Sequence, residues 1–259
     1  MQTLIQALVI IVGSVALALY GVIHVRRRVP LEVQMEQNEV AGFFIAVLGV
    51  VYGVLLAFAV IVVWEDYEDA RAIAEREANA VADVHRLADV LTEPSRQQIQ
   101  TESLAYARVV INEEWPMLEE GRESVTALRQ LEALWVAVRA YEPKGSREET
   151  IYGKLLDELQ IVNDERRMRL LASRHGIPRL VWGVLIGGGI MTVLFTYFFG
   201  LKSLRAQMAM TALYVASIGF VLFLIVAVDH PFAGTVRIEP DAMQLVMERV
   251  NLTQQAPRR

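Results

Sequence analysis

Four long apolar stretches stand out from the mixture of polar and apolar positions along the 259-residue chain. Apart from His24, near the end of the first, they contain no Asp, Glu, Lys, Arg or His. About 20 helical residues cross a hydrocarbon core of about 30 Å, so each predicts a transmembrane helix. Four buried helices of a soluble core are the alternative, but soluble cores rarely use so many such stretches. The four stretches, of 21 to 25 residues, are Thr3–Val25, Val40–Trp64, Leu180–Gly200 and Met208–Val228.

The second stretch passes, without any Gly or Pro, into a charged segment whose apolar residues keep a helical spacing. We therefore expect residues 40–91 to form one continuous helix of roughly 78 Å, at about 1.5 Å per residue. Half of it would lie in lipid and half in water. The spaced apolar residues are Ala70, Ile73, Ala74, Ala78, Val81, Val84, Ala88 and Leu91.

Residues 65–179 form the predicted water-soluble region, in which four amphipathic segments follow one another and no stretch alternates as a strand requires. An antiparallel four-helix bundle is the simplest arrangement that buries four such faces. The predicted fold class is all-α: an integral membrane protein with four transmembrane helices and a helical bundle outside the bilayer, into which the second span continues. The four segments are 65–91, 95–115, 122–141 and 147–175.

A C-terminal tail, residues 229–259, follows the last span. Residues 240–252 place apolar side chains on one side of a short helix, with Met243 and Val246 among them. We expect this helix to pack against the bundle or against a neighbouring subunit.

Opposite charges collect where the first and last helices of the bundle would meet the membrane. If these helix ends are neighbours, the charges would form ion pairs that hold the bundle on the spans. Two separately solvated faces are the alternative, since exposed pairs contribute only about 0–1 kcal/mol each. The acidic side chains are Glu65, Asp66, Glu68 and Asp69, and the basic ones are Arg166, Arg167 and Arg169.

Glycines recur within two of the spans. Small residues let helix backbones approach closely in lipid, so helix packing is the first interpretation and a pore lining or hinge the second. Three successive glycines also predict a bend or unwinding, because each destabilises a helix interior by roughly 1 kcal/mol. The positions are Gly42, Gly49 and Gly53 in the second span and Gly183, Gly187, Gly188 and Gly189 in the third.

No arrangement typical of a catalytic, metal or cofactor site occurs in the sequence, which has no cysteine and four scattered histidines. Asp229 and His230 are a candidate pH switch at the membrane surface, with an ordinary interfacial histidine as the alternative. Glu113 and Glu114, just before Pro116, could bind a cation, although a solvated helix end is the simpler interpretation.

Composition supports the membrane assignment, since 54% of residues are hydrophobic and the mean hydropathy is +0.35. The net charge of −5, without a basic stripe, argues against a nucleic-acid partner. Spans without buried charge argue against a proton-coupled carrier. A passive pore needs no buried charge, because a hydrophobic constriction can gate it.

The charges of the short loops bear on orientation. Arg26–Arg28 and the pair Lys202 and Arg205 favour placing both loops on the cytoplasmic side, with the bundle and both termini on the other side. Arginines between positions 166 and 179 favour the opposite orientation, but they belong to a connection too long for the rule to be reliable.

Several segments resemble the bacterial bestrophin-like domain family. The resemblance implies a multi-pass protein of the bacterial plasma membrane, distantly related to bestrophins, which are oligomeric anion channels with four spans per subunit. Bestrophins keep their termini in the cytoplasm, which opposes the orientation favoured by the loop charges. The segments are GVVYGVLLAFAVIVVWEDYEDA at 49–70, EREANAV at 75–81, EEWP at 113–116, RRMRL at 166–170, IP at 177–178 with Trp182, and DHPFAG at 229–234.

The main hypothesis is a homo-oligomer in the lipid bilayer that conducts small ions, with anions the class suggested by the resemblance. The rival hypothesis is a non-conducting, membrane-anchored scaffold or sensor whose helical bundle binds a protein partner. Neither hypothesis involves an enzymatic activity or a cofactor.

Overall fold

The computed structural model describes the backbone of residues 2–255, so Met1 and the last four residues of the predicted tail lie outside it. Side chains are described for Ile5 and for residues 8–252. Within this part the chain is all helical and contains no strand, as the sequence predicts. It divides into two compact units, a membrane unit (residues 1–65 and 176–229) and a helical unit (residues 66–175 and 230–259).

Four helices of the chain are long and apolar enough to cross a membrane, which confirms the four predicted spans. A short helix occupies part of the link between the first two spans. The structure places the first span pair and the last span pair in the same unit. The helices are α1 (Gln2–Arg28), α2 (Leu31–Glu36), α3 (Asn38–Leu87), α8 (Arg179–Phe195) and α9 (Leu204–Val228).

Helix α3 runs without a break for 50 residues, from the apolar second span into the charged segment that follows it. One face is buried along its whole length, including Tyr52 and Val63 in the membrane unit and Ala74 and Val81 in the helical unit. The continuous helix predicted from the two adjoining apolar patterns is therefore confirmed, although a 3₁₀ turn replaces its last residues, Ala88–Val90.

The third span ends earlier than predicted, because helix α8 gives way to a 3₁₀ turn at Thr196–Phe198. The chain then passes Gly200, whose backbone N–H donates to Asn38 Oδ1 and whose carbonyl accepts from Asn38 Nδ2, both at 2.9 Å. A Cβ at Gly200 would lie 2.6 Å from the Cβ of Gln34. This close approach requires glycine at position 200.

The helical unit buries the apolar faces that the sequence identified. Ile99, Leu134 and Leu159 come from three different helices and are all fully buried in one core. Met243 and Val246 belong to the same core, so the helix after the last span packs against this unit. Besides the second half of α3, the helices are α4 (Ser95–Val109), α5 (Trp115–Leu118), α6 (Val125–Arg139), α7 (Ser146–Ala172) and α10 (Asp241–Gln255).

Candidate functional site

Four charged side chains meet in the interior of the helical unit, where charge is costly. We name them the buried charge cluster: Glu77, Glu114, Arg166 and Arg169. They come from α3, from the turn between α4 and α5, and from α7. Glu77, Glu114 and Arg169 are 0% exposed and Arg166 is 5% exposed. Charged residues are almost never buried so completely unless they are paired.

The two arginines and two carboxylates form a continuous chain of short ion pairs. Arg169 donates from Nε to Glu77 Oε2 at 2.6 Å and from Nη2 to Glu77 Oε1 at 3.0 Å. Its Nη2 also donates to Glu114 Oε2 at 2.8 Å. Arg166 holds the same Glu114 through Nη2 at 2.6 Å and Nε at 3.2 Å. Two positive and two negative charges therefore balance within the cluster.

The surroundings of Glu114 and Arg169 favour the charged forms of these two side chains. Burial alone would raise the pKa of Glu114, but Arg169 and Arg166 outweigh burial and hold the pKa below its ordinary value. The pKa of Arg169 is raised, because Glu77 and Glu114 outweigh the desolvation that would lower it. Tyr106 donates its hydroxyl to Glu77 Oε1 at 2.7 Å, and burial raises the pKa of this phenol well above its ordinary value.

A local irregularity of the helix turns Glu114 inward. Residues Val110–Glu114 form a π turn between α4 and α5 and end two residues before Pro116. Proline has no backbone N–H and its ring clashes with the carbonyl four residues earlier, so a wider turn accommodates it. Glu114 Oε1 also accepts from the backbone N–H of Ser124, the N-cap of α6. One side chain therefore links α7 to the start of α6.

Trp115 connects the cluster to the segment that follows the last span. The guanidinium carbon of Arg169 lies 5.0 Å from the centroid of the indole ring, a favourable cation–π distance. Trp115 Nε1 donates to the carbonyl of Ile238 at 3.0 Å, and Phe232 meets the same ring edge-on at 5.8 Å. Nη1 of Arg169 has no hydrogen-bond acceptor among the described residues. The contact with the indole ring therefore offsets part of the cost of burying this guanidinium.

Four of the six segments that carry the family resemblance contribute residues to this cluster or to the aromatic side chains beside it. EREANAV supplies Glu77, EEWP supplies Glu114 and Trp115, RRMRL supplies both arginines, and DHPFAG supplies Phe232. Sequence reasoning did not identify Glu77 or Glu114 as partners of the arginines. Their presence inside the quoted segments was the available signal.

The prediction that Arg166, Arg167 and Arg169 pair with the acidic side chains at the membrane boundary is wrong. Among the residues that the structure describes, Arg166 and Arg169 pair with Glu114 and Glu77, and Arg167 pairs with Asp164 at 3.6 Å. The carboxylates of Glu65, Asp66, Glu68 and Asp69 are exposed instead. Arg166 and Arg169 lie on the buried face of α7, so they bind the buried carboxylates next to them. The solvated helix end expected for Glu114 is also wrong, whereas Glu113 is exposed.

The predicted unwinding at the glycine triplet does not occur, because α8 is regular through Gly187, Gly188 and Gly189. The aromatic ring of Tyr52 on α3 fills the space that side chains there would need. A Cβ at Gly188 would lie 2.8 Å from Tyr52 Cδ2, and one at Gly189 would lie 2.8 Å from Tyr52 Oη. The Tyr52 hydroxyl donates to the carbonyl of Leu185 at 2.9 Å. These glycines therefore form a notch for one side chain.

The other predicted glycines lie in open space within one chain. A Cβ at Gly49, Gly53, Gly183 or Gly187 would meet nothing within 4 Å, and one at Gly42 would meet only Phe199 at 3.9 Å. Gly49 and Gly53 lie on the same side of α3 as Gly42, Ala46 and Ala57, about a quarter turn from its buried face. We name this line of small residues on α3 the open seam.

The candidate switch residues have separate surroundings in the structure. Asp229 is buried, and its Oδ1 accepts from the backbone N–H of Ile177 at 2.7 Å, which ties the end of α9 to the segment before α8. His230 is exposed. Their role as a pH switch stays a prediction.

A large cavity opens on the outside of the helical unit, between α3, α4 and α10. Its volume is about 1330 Å³, and both charges line it, including Asp83, Arg96 and Arg249. His85 contributes a buried wall, with Nδ1 3.2 Å from Ser103 Oγ. No group of three or more His, Cys, Asp or Glu residues suited to a metal ion occurs within the part of the chain that the structure describes.

Comparisons with known proteins place the chain in one family. No curated protein matches it. A variant of a bacterial Bestrophin homologue from Klebsiella pneumoniae matches with a TM-score of 0.71 and 13% identity, covering 95% of this chain and 99% of that chain. A second structure of that homologue matches with a TM-score of 0.68 and 14% identity, over 95% and 100% of the two chains. A structure described as a membrane protein matches with a TM-score of 0.73 and 14% identity, over 95% and 100%.

These structures have the same fold as this chain, although their sequence identity to it is low. The model of the Bestrophin-like domain matches residues 12–243, which include most of the first span, the other three spans and the buried charge cluster. The chain is a multi-pass membrane protein and belongs to the Bestrophin-like domain family.

Proposed function

We propose that the protein assembles as a homo-oligomer in the bacterial plasma membrane and conducts small ions, with anions the first class to test. The observation that carries the proposal is the open seam of α3. Within one chain a Cβ at Gly49 or Gly53 on this line would meet nothing within 4 Å, although small residues in a membrane helix normally serve close helix packing. A second copy of the chain is the simplest partner for it.

Some glycines of the other spans pack closely against side chains of the same chain. Gly219 on α9 packs against Ile11 on α1, where a Cβ would lie 3.0 Å from the Ile11 side chain. Gly188 and Gly189 on α8 receive Tyr52. The contrast supports an intermolecular role for the seam on α3.

The chemistry of the spans supports passive conduction. They contain no Asp, Glu, Lys or Arg away from their ends, whereas proton-coupled carriers usually hold such groups within their spans. Hydrophobic constrictions between identical helices can gate a pore without a buried charge. Family membership supports the same conclusion, because the family is named for its likeness to bestrophins.

Flux through liposomes that contain the purified full-length chain tests the proposal. Vesicles loaded with a halide-sensitive dye and, separately, with a sodium-sensitive dye are expected to show passive ion entry above that of empty vesicles. The dye that responds identifies the class of ion. Absence of flux for both classes, across pH, calcium concentration and voltage, would contradict conduction.

A non-conducting scaffold or sensor is the second candidate, and the cavity of about 1330 Å³ on the helical unit favours it. A surface concavity of this size could hold part of a protein partner. The mass of the protein in detergent separates the candidates, because a pore between subunits requires several copies and a scaffold does not. A monomer would favour the scaffold.

A further inference from the structure

Four cations at one end of the membrane unit have no carboxylate partner among the described residues: Arg27, Arg28, Lys202 and Arg205. We name them the loop-end cations. All four side chains are exposed. Arginine side chains elsewhere in the chain commonly form ion pairs, as Arg71 does with Glu75 and Arg122 with Glu120.

Hydrogen bonds from Arg26 join the end of α1 to the loop before α9 and to the first turn of α9. Arg26, next to Arg27, donates from Nη1 to Gln207 Oε1 at 2.8 Å and from Nη2 to the carbonyl of Lys202 at 3.2 Å. Helices α1 and α9 also pack against each other. The end of α1 and the start of α9 therefore form one surface.

This surface lies at the depth of lipid headgroups. Both helices are long and apolar enough to span a membrane, one ending at Arg28 and the other beginning at Leu204. Cations at such ends extend their charged groups towards the membrane–water interface while their apolar stems stay along the helix.

The local charge balance is positive. The ends of α1 and α9 and the loop before α9 carry five cations, Arg26 to Arg28, Lys202 and Arg205. Three carboxylates on α2 and α3, Glu32, Glu36 and Glu39, oppose them, which leaves a net charge of +2.

We propose that the loop-end cations bind the headgroup of an anionic phospholipid. A phosphodiester accepts hydrogen bonds from several guanidinium and ammonium groups at once, and the lipid reaches this surface from the bilayer itself. The proposal depends on the spans and not on conduction. If the cations only direct membrane insertion, the folded protein has no preference between anionic and zwitterionic lipids.

Native mass spectrometry of the full-length protein in detergent tests the proposal. Phosphatidylglycerol and phosphatidylcholine with identical acyl chains are titrated separately and bound lipid is counted. The wild type is expected to bind phosphatidylglycerol about tenfold more tightly than phosphatidylcholine. The variant with Arg27→Gln, Arg28→Gln, Lys202→Gln and Arg205→Gln is expected to bind the two equally.

A second quadruple variant controls for the loss of four charges. Arg129→Gln, Lys144→Gln, Arg147→Gln and Lys154→Gln remove exposed cations of the helical unit, and this variant is expected to keep the wild-type preference. A wild type without preference, or a preference that survives in the first variant, would overturn the proposal. Displacement of phosphatidylglycerol by an equal concentration of inorganic phosphate would also overturn it, because the surface would then be a site for free anions.

Discussion

At the scale of single residues, Arg169 shows how the helical unit tolerates charge in its interior. Desolvation of an ion costs several kcal/mol, which close ion pairs and further polar contacts must offset. Arg169 contacts two carboxylates at 3.0 Å or less and one aromatic ring. Such a network ties three chain segments to one point, so its members depend on one another.

Glu77→Gln is expected to destabilise the helical unit strongly. The substitution keeps the size of the side chain but leaves Arg169 with one carboxylate in a buried site, and breaking such pairs costs about 3–5 kcal/mol. Denaturant unfolding followed by tryptophan fluorescence measures the change. Glu120→Gln removes an exposed partner of Arg122 and is expected to cost no more than about 1 kcal/mol. Equal effects of the two substitutions would contradict an energetic role for the cluster.

His85 is expected to make stability depend on pH. Burial lowers its pKa below the ordinary value, and Asp89 and the backbone of Gln100 only partly oppose this. The unfolded chain therefore binds the proton more readily than the folded one, so stability is complete above a pH of about 6.5 and falls below it. The wild type should lose thermal stability between pH 7.5 and 5.5, and His85→Gln should lose less. His175→Gln, at an exposed site, serves as the control and should behave like the wild type.

At the scale of helices, α3 packs against α8 where one tyrosine of α3 fits against two glycines of α8. Tyr52 lies against Gly188 through its ring and against Gly189 through its hydroxyl. The fit is specific because the two glycines meet different atoms of the same side chain. A helix pair that packs in this way holds its register without any charge in the membrane.

Gly189→Ala is therefore expected to destabilise the packing of α3 on α8, and Tyr52→Phe is expected to rescue it in part. The added methyl group would lie 2.8 Å from the tyrosine hydroxyl, which phenylalanine lacks. Gly188→Ala meets ring carbons instead, so Tyr52→Phe should not rescue it. A double-mutant cycle of thermal stability in detergent measures the coupling.

Gly187→Ala is the matched control for these variants. Its Cβ meets nothing within 4 Å, and alanine favours a helix by roughly 1 kcal/mol over glycine, so stability should hold or rise. Rescue of both alanine variants by Tyr52→Phe would contradict the assignment of separate contacts.

At the scale of the whole molecule, the chain leaves one face of its longest helix without a partner. Ala46, Gly53 and Ala57 are exposed in the membrane unit, beside the face that Tyr52 and Leu56 bury. An oligomer would bury this seam, and the proposed pore requires several copies of α3. The assembly state is therefore the property on which the proposed function depends most directly.

Gly53→Leu is expected to reduce the size of the assembly without unfolding the chain. A bulky side chain on the seam would prevent close approach of a second helix, while nothing within one chain lies near a Cβ there. Light scattering coupled to size-exclusion chromatography measures the mass of the complex. Gly13→Leu, an equally open glycine on α1, should leave the mass unchanged. An unchanged mass for Gly53→Leu would show that the seam is not an interface.

The sequence by itself determined the spans, the long helix and the amphipathic faces. Each of these depends on residues close together in the chain: the length of an apolar stretch sets whether it crosses lipid, and the spacing of apolar side chains sets which face is buried. The absence of Gly and Pro between residues 54 and 91 is enough to predict that α3 continues out of the membrane.

Only the tertiary structure decided which partners meet. Glu77 and Arg169 are 92 residues apart, and Glu114 and Arg169 are 55 apart, so no local pattern pairs them. The sequence predicts that the arginines pair with the acidic side chains at the membrane end of the bundle, whereas the π turn and the packing of α7 direct Arg166 and Arg169 to other carboxylates. Likewise, three glycines were expected to unwind a helix that Tyr52 stabilises from another element. Long-range pairing depends on how helices pack, and packing is a property of the folded chain.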